Sequence, residues 1–219
     1  MTRLILINGG HRTGSTLTYN IVREMCLLNH LRVNVIQTSN TKRRDFEDYD
    51  VEISKCHNYV PRIRKANVDA IFNFRNPHDS VASWVMYLKA GGLNPKLLSD
   101  GLIDIDKIIE SVRQDQKAVK RARESYSLLI GYYSLFTDMD GCIQNISAHL
   151  GIPADARIKR EISRRLERYT VNQELEADPV TQLRKHHVSV NGGRPGSFFS
   201  LDQLTQEKVN QVFGQYINY

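Results

Sequence analysis

Cysteine is scarce in this sequence. Cys26, Cys56 and Cys142 are the three in 219 residues, an odd number set far apart. Such a set makes neither a disulfide framework nor a zinc site, and it reads as the reduced thiols of a cytoplasmic protein. Long apolar runs are missing too. None approaches the ~20 residues needed to cross a bilayer, so no transmembrane helix is expected. The opening residues lack the basic stretch, apolar core and small-residue cleavage site of a secretory signal. There is no internal repeat and no low-complexity segment.

What remains is an ordinary globular composition, 41% hydrophobic and 25% charged. The length suits one domain over residues 1–219 and is short for two. Thirty basic against 24 acidic residues give a formal net charge of +6. A basic surface of this kind attracts a polyanion, a membrane face or a phosphorylated small molecule. The basic residues are not gathered in one tail, so no nucleic-acid partner is expected. Their densest run is Arg157, Lys159, Arg160, Arg164, Arg165 and Arg168, interleaved with Ile158, Ile162 and Leu166 at helical spacing. It reads as an amphipathic helix with a solvated basic face, the alternative being a rail for an anionic acceptor.

Apolar residues cluster as strands at Leu4–Ile7, Val33–Ile36, Val51–Ser54, Ala70–Phe74 and Leu128–Tyr132. Helical patterns cover 15–29, 78–90 and 104–125, with others near 139–150, 157–169 and 202–217. This alternation implies an α/β fold, a mainly parallel β-sheet flanked by helices. The stretches 40–49 and 90–101 read as loops.

The strand Leu4–Ile7 runs into Asn8-Gly9-Gly10-His11-Arg12-Thr13-Gly14-Ser15-Thr16 and then into a helix. Strand, glycine loop and helix is the arrangement that aims backbone N–H groups at a phosphate. The Gly9-x4-Gly14 spacing is that of a P-loop, but Ser15 stands where the Walker lysine would follow Gly14. That lysine reaches the outer phosphates of a triphosphate, so its loss argues against an ordinary ATPase or kinase. Arg12 supplies a cation instead, with the hydroxyls of Thr13, Ser15 and Thr16.

A second anion site follows the strand Ala70–Phe74. Arg75 stands at its C-terminal end, Asn76 is placed to cap a helix beginning at Pro77, and Ser83 lies two turns into that helix. Open α/β sheets bind ligands at this edge. A P-loop ATPase more often places a Mg²⁺-binding aspartate there. Two cationic sites imply a ligand with two separate anionic groups, and no metal is expected.

With both sites in view the chain resembles the PAPS-dependent sulfotransferases (PAPS is 3′-phosphoadenosine 5′-phosphosulfate). That family's first motif, roughly P-K-S-G-T-T-W, corresponds to His11-Arg12-Thr13-Gly14-Ser15-Thr16-Leu17. Its second, R-N-P-x-D-x-x-x-S, corresponds to Arg75-Asn76-Pro77-His78-Asp79 through Ser83. A K-x-H-x-x-P element resembles Lys55-Cys56-His57 through Pro61, with one extra residue before the proline. An L-x-Y-x-x-L element resembles Ile130 to Leu135, and the late glycine loop resembles Asn191 to Phe198 without its leading Arg-Lys.

The resemblance implies a P-loop NTPase-like sulfotransferase fold and sulfuryl transfer from PAPS, with PAP as product. It makes His57 the general base, Arg12 and Lys55 the charge-stabilising cations, and residues 12–16 the cradle of the 5′ phosphate. Arg75 and Ser83 would hold the 3′ phosphate, helped by Gly193 and Arg194, and Tyr132 would meet the adenine. Arg12 in place of the family's lysine keeps the charge but cannot donate a proton. His11 and Glu52 are reserve bases, and Trp84, Met86 and Tyr87 read as core. A small-molecule P-loop kinase and a non-catalytic nucleotide- or polyanion-binding module remain the alternatives. The sequence identifies neither the acceptor nor the oligomeric state.

Overall fold

The computed structural model describes residues 2–37, 49–57, 68–125, 127–168, 178, 180–181, 183 and 195–217. Five strands form one sheet in the order β2 (Val33–Gln37), β3 (Val51–Lys55), β1 (Arg3–Gly9), β4 (Val68–Phe74) and β7 (Leu128–Gly131). Every pairing in it is parallel. The central strand β1 aligns Ile7 with Lys55 of β3 on one side and Gly9 with Asn73 of β4 on the other. The C-terminal ends of three neighbouring strands therefore finish side by side. This is the fold class that strand–helix alternation implied.

Side-chain alternation along the strands decides which face each helix covers. Ile5, Ile7, Ile53, Ile71 and Ile130 pack with Tyr19 and Met25 of α1 (Ser15–Leu28) and with Ile143 and Ile146 of α5 (Met139–Leu150). Ile162 of α6 (Ala156–Glu167) joins the same cluster. Phe72 points the other way, against Ala118, Val119 and Ala122 of α3 (Ile105–Arg123). Beyond it, Val81, Trp84 and Val85 of α2 (Pro77–Lys89) meet Ile108, Ile109 and Val112 of α3 and Val209 of α7 (Gln203–Phe213).

Several boundaries move from those read in the sequence. The strand expected through Tyr132 ends at Gly131, and a short α4 (Ser134–Thr137) follows. The helix expected to reach 217 stops at Phe213, because Gly214 takes φ 79 and turns the chain out of the helix. The loop around 90–101 contains a 3-10 turn at Pro95–Leu97 and a strand, β5 (Leu98–Ser99), that pairs with β6 (Leu102–Ile103). Residues 40–48 of the other expected loop lie outside the described residues. Among the described residues no helix is long and apolar enough to cross a membrane.

The basic run behaves as an amphipathic helix. Arg164 and Arg165 of α6 both hold Glu161, and Arg165 also reaches buried Glu24 on α1 at 2.8 Å.

Asp79, in the first turn of α2, is wholly buried and draws distant segments together. It accepts from the amides of Gly196 (3.2 Å) and Phe198 (2.8 Å) and from the hydroxyls of Ser197 (3.0 Å), Tyr216 (3.0 Å) and Tyr133. Burial alone would raise its pKa, but hydrogen bonds from Tyr133, Phe198, Gly196 and Ser197 outweigh this and hold it below the usual carboxylate range. A depressed native pKa means the stability it contributes is present above the unfolded value near 4 and fades as pH falls below that. Replacing Asp79 by Ala leaves buried donors unanswered and should cost about 3–5 kcal/mol in urea unfolding at neutral pH. A loss below about 1 kcal/mol would show that these donors find other partners.

Candidate functional site

The phosphate loop is shaped from within. Gly14 begins α1 at φ 87, and Arg12 also lies in the left-handed region at φ 63. Thr13 donates its hydroxyl to the Gly10 carbonyl at 2.6 Å, which closes the turn. Asp and Asn side chains cap α2, α3, α5, α6 and α7, but no side chain caps α1. A helix start left open beneath a glycine loop offers backbone N–H groups and the positive end of the helix dipole to an anion.

A cavity of about 400 Å³ opens over this loop at the C-terminal edge of the sheet. Arg12, Gly14, Ser15 and Thr16 line it from the loop. Lys55 and His57 enter from β3, Arg75 and Ser83 from β4 and α2, and Tyr132 from the turn after β7. Thr13 is buried and does not line the cavity, since its hydroxyl serves the loop. Gly193 and Arg194 lie outside the described residues.

Each cation is held by its own partner. Arg75 is buried, with its guanidinium 4.0 Å from the centroid of the Tyr132 ring. It donates to the Arg12 carbonyl and to the Ser197 hydroxyl, both at 3.3 Å, while its Nε has no hydrogen-bond partner among the described residues. Arg12 donates from Nε to Ser83 at 3.2 Å and lies 4.8 Å from the Tyr87 ring centroid. Lys55 donates to the Thr16 hydroxyl at 2.9 Å. Ser83, read in the sequence beside Arg75, is thus in direct contact with Arg12.

His57 stands against the loop, its Nδ1 3.3 Å from the Gly9 carbonyl oxygen. Its ring stacks on His11 at 4.4 Å, and His11 in turn meets Trp84 at 5.3 Å. Both histidines line the cavity. Glu52 does not: it is buried within β3, where desolvation raises its carboxyl pKa. His78, in the first turn of α2, is buried, and its Nε2 lies 2.9 Å from the Gly214 carbonyl oxygen. Trp84 and Tyr87 belong to the core as read, and they also form a wall of the cavity.

One residue escaped the sequence reading. Asp115 of α3 accepts from the His11 amide at 3.0 Å. It packs so close to Gly10 that a Cβ there would sit 2.6 Å from the carboxylate. Nothing in the sequence around Asp115 marks it, because its partner is a backbone group 104 positions away. Burial pushes its carboxyl up to about 7, opposed by the His11 amide.

A glycine loop between a central parallel strand and an open helix start, facing a cationic strand end, defines a P-loop-type architecture. Its particular form is the fold of the PAPS-dependent sulfotransferases. The mouse sulfotransferase SULT7A1, solved as a complex with PAP, superposes with a TM-score of 0.63 at 13% identity, over 95% of this chain and 82% of its own. Retinol dehydratase in complex with androsterone and inactive cofactor PAP gives 0.61 at 14% identity, over 96% and 80%. Its complex with retinol and PAP gives 0.57. No family model matches the chain, and no curated protein matches it in sequence.

The raised pKa of Asp115 sets a pH dependence. An unfolded aspartate titrates near 3.9, so between roughly pH 4 and 7 the folded protein binds this proton more tightly than the unfolded chain. The contribution is full below that window and is lost as pH rises through about 7. Asp115→Asn removes the titration while keeping an oxygen for the His11 amide. Its melting temperature should therefore fall less than that of the wild type between about pH 5 and 8. Parallel curves for the two proteins would contradict the assignment.

Proposed function

We propose that this chain, acting as one domain over 1–219, transfers a sulfuryl group from PAPS to the hydroxyl of an acceptor. The observation that carries the reading is the convergence of Arg12, Lys55 and Arg75 on one cavity around an uncapped helix start, with His57 among them. The shared fold supports it, since the structures it resembles were solved with PAP. The partnerless Nε of buried Arg75 fits a second anion. The three free thiols suit a cytoplasmic protein.

In this reading the 5′ phosphate rests on the loop amides, Ser15 and Thr16, and the 3′ phosphate on Arg75. Tyr132, whose ring faces the Arg75 guanidinium, backs that cation as well as bordering the adenine side. The Gly9 carbonyl can only accept, so His57 carries its proton on Nδ1 and leaves Nε2 as the base. The acceptor oxygen attacks sulfur in line as the bond from sulfur to the bridging phosphate oxygen breaks. His57 Nε2 takes the hydroxyl proton, and PAP leaves with the electron pair. Arg12 offsets the charge that builds on the leaving phosphate without donating a proton, and Lys55 steadies the moving sulfuryl oxygens. The chemistry calls for no metal.

Arg75→Ala removes a charge-assisted contact worth about 1.5–3 kcal/mol. The variant should bind PAP roughly ten- to a hundredfold more weakly by calorimetry and lose its preference for PAP over AMP. Wild-type protein that binds the two nucleotides equally would refute the two-anion site.

His57→Ala should lower turnover by about a hundred- to ten-thousandfold with PAP affinity nearly unchanged. Turnover within a few-fold of wild type would move the base to His11. Activity should persist in a chelator, whereas a Mg²⁺ requirement would point to a kinase.

A further inference from the structure

Two consecutive residues of α3 each reach a backbone group of a different anion-binding segment. Asp115 accepts the His11 amide in the phosphate loop, and Gln116 donates from Nε2 to the Arg75 carbonyl at 3.3 Å. Neighbouring positions on a helix diverge by about 100°, so adjacent side chains serve separate partners. We infer that α3 is a spacer between the two anion sites, with Asp115 and Gln116 as positioning residues that fix the phosphate loop and the Arg75 strand end at one separation. The inference rests on the proposed ligand, a nucleotide with anions at both its 3′ and 5′ positions.

The helix is suited to hold a distance. Before the pair, Ile108, Ile109 and Val112 are packed against α2; after it, Ala118, Val119 and Ala122 are packed against Phe72 of β4. Asp115 and Gln116 therefore project from a segment anchored at both ends. Strand pairing of β1 with β4 also ties the two sites, while the side-chain links, from the Arg75 guanidinium to the Arg12 carbonyl and from Arg12 to Ser83, run through long side chains that must also meet ligand. The α3 contacts hold main chain at both ends, independent of what Arg75 does.

The choice of a carboxylate supports a positioning role. Among the described residues Asp115 has no hydrogen bond or ion pair beyond the His11 amide. A carboxylate beside a phosphate loop works against anion binding, so its use must lie in holding the loop. The raised pKa leaves part of the population uncharged near neutrality, which lessens the repulsion.

A bidentate ligand gains affinity over its separate halves only if both sites stand at the correct spacing. The test compares PAP, AMP and 3′-AMP by calorimetry on the wild type, Asp115→Ala, Gln116→Ala and Asp115→Asn. Either alanine variant should weaken PAP at least about tenfold while AMP and 3′-AMP change less than about threefold. Asp115→Asn keeps the acceptor oxygen and should restore PAP affinity to within about threefold of wild type. If all three nucleotides weaken together, or if PAP affinity is unchanged, the spacer role is overturned. Gln116→Ala keeps the test open should Asp115→Ala fail to fold, as its amide is only part-buried. A wild type without preference for PAP would instead remove the proposed ligand, an outcome distinct from failure of the spacer.

Discussion

Asp79 meets five donors in a fully buried position, and the cavity side of the molecule is arranged around it. A buried carboxylate is costly unless its oxygens are answered, and here the answers come from residues 196–198, from Tyr133 after β7 and from Tyr216 near the C-terminus. Through these bonds α2 is tied to the segment that carries Ser197. Ser197 also accepts from Arg75, so the hub and the second cation share a partner. Loss of the carboxylate would loosen the helix start, the 3-10 turn at Ser197–Ser200 and the setting of Arg75 together.

The parallel sheet supplies the other constraint. Because β1 lies between β3 and β4, its glycine loop emerges between Lys55 and His57 on one side and Arg75 on the other. Parallel strands all end at the same edge, so three short sequence signals far apart in the chain become one cavity. Like charges brought this close repel, and each is answered locally. Arg75 lies over Tyr132, Arg12 over Tyr87 and against Ser83, and Lys55 against Thr16. Aromatic faces and hydroxyls hold these cations at the cavity wall.

Arginine at position 12 shapes the proposed chemistry. A lysine there could give a proton to the leaving phosphate, whereas a guanidinium can only supply charge and directed donors. In the proposed transfer, proton traffic then falls to the histidines, and His11 and His57 are stacked on each other.

Much of this was legible in the sequence because it is local. The apolar alternation of Leu4–Ile7 and Ala70–Phe74, the glycine loop after the first and the Asn76-Pro77 helix start after the second depend on neighbours within a few residues, and they appear where expected. So did the amphipathic helix that carries the basic run. The sequence by itself therefore determined the elements, their alternation and the candidate cations. It could not decide that Ser83 bonds Arg12, that Thr13 turns inward, or that Glu52 is sealed inside β3, since each depends on which face a strand or turn presents after packing. Still less could it show that Asp115 and Gln116 grip the glycine loop and the Arg75 strand end or that Asp79 gathers donors more than a hundred residues away. Those partners are mainly backbone groups, alike in every sequence, and only the tertiary fold selects which of them a side chain meets.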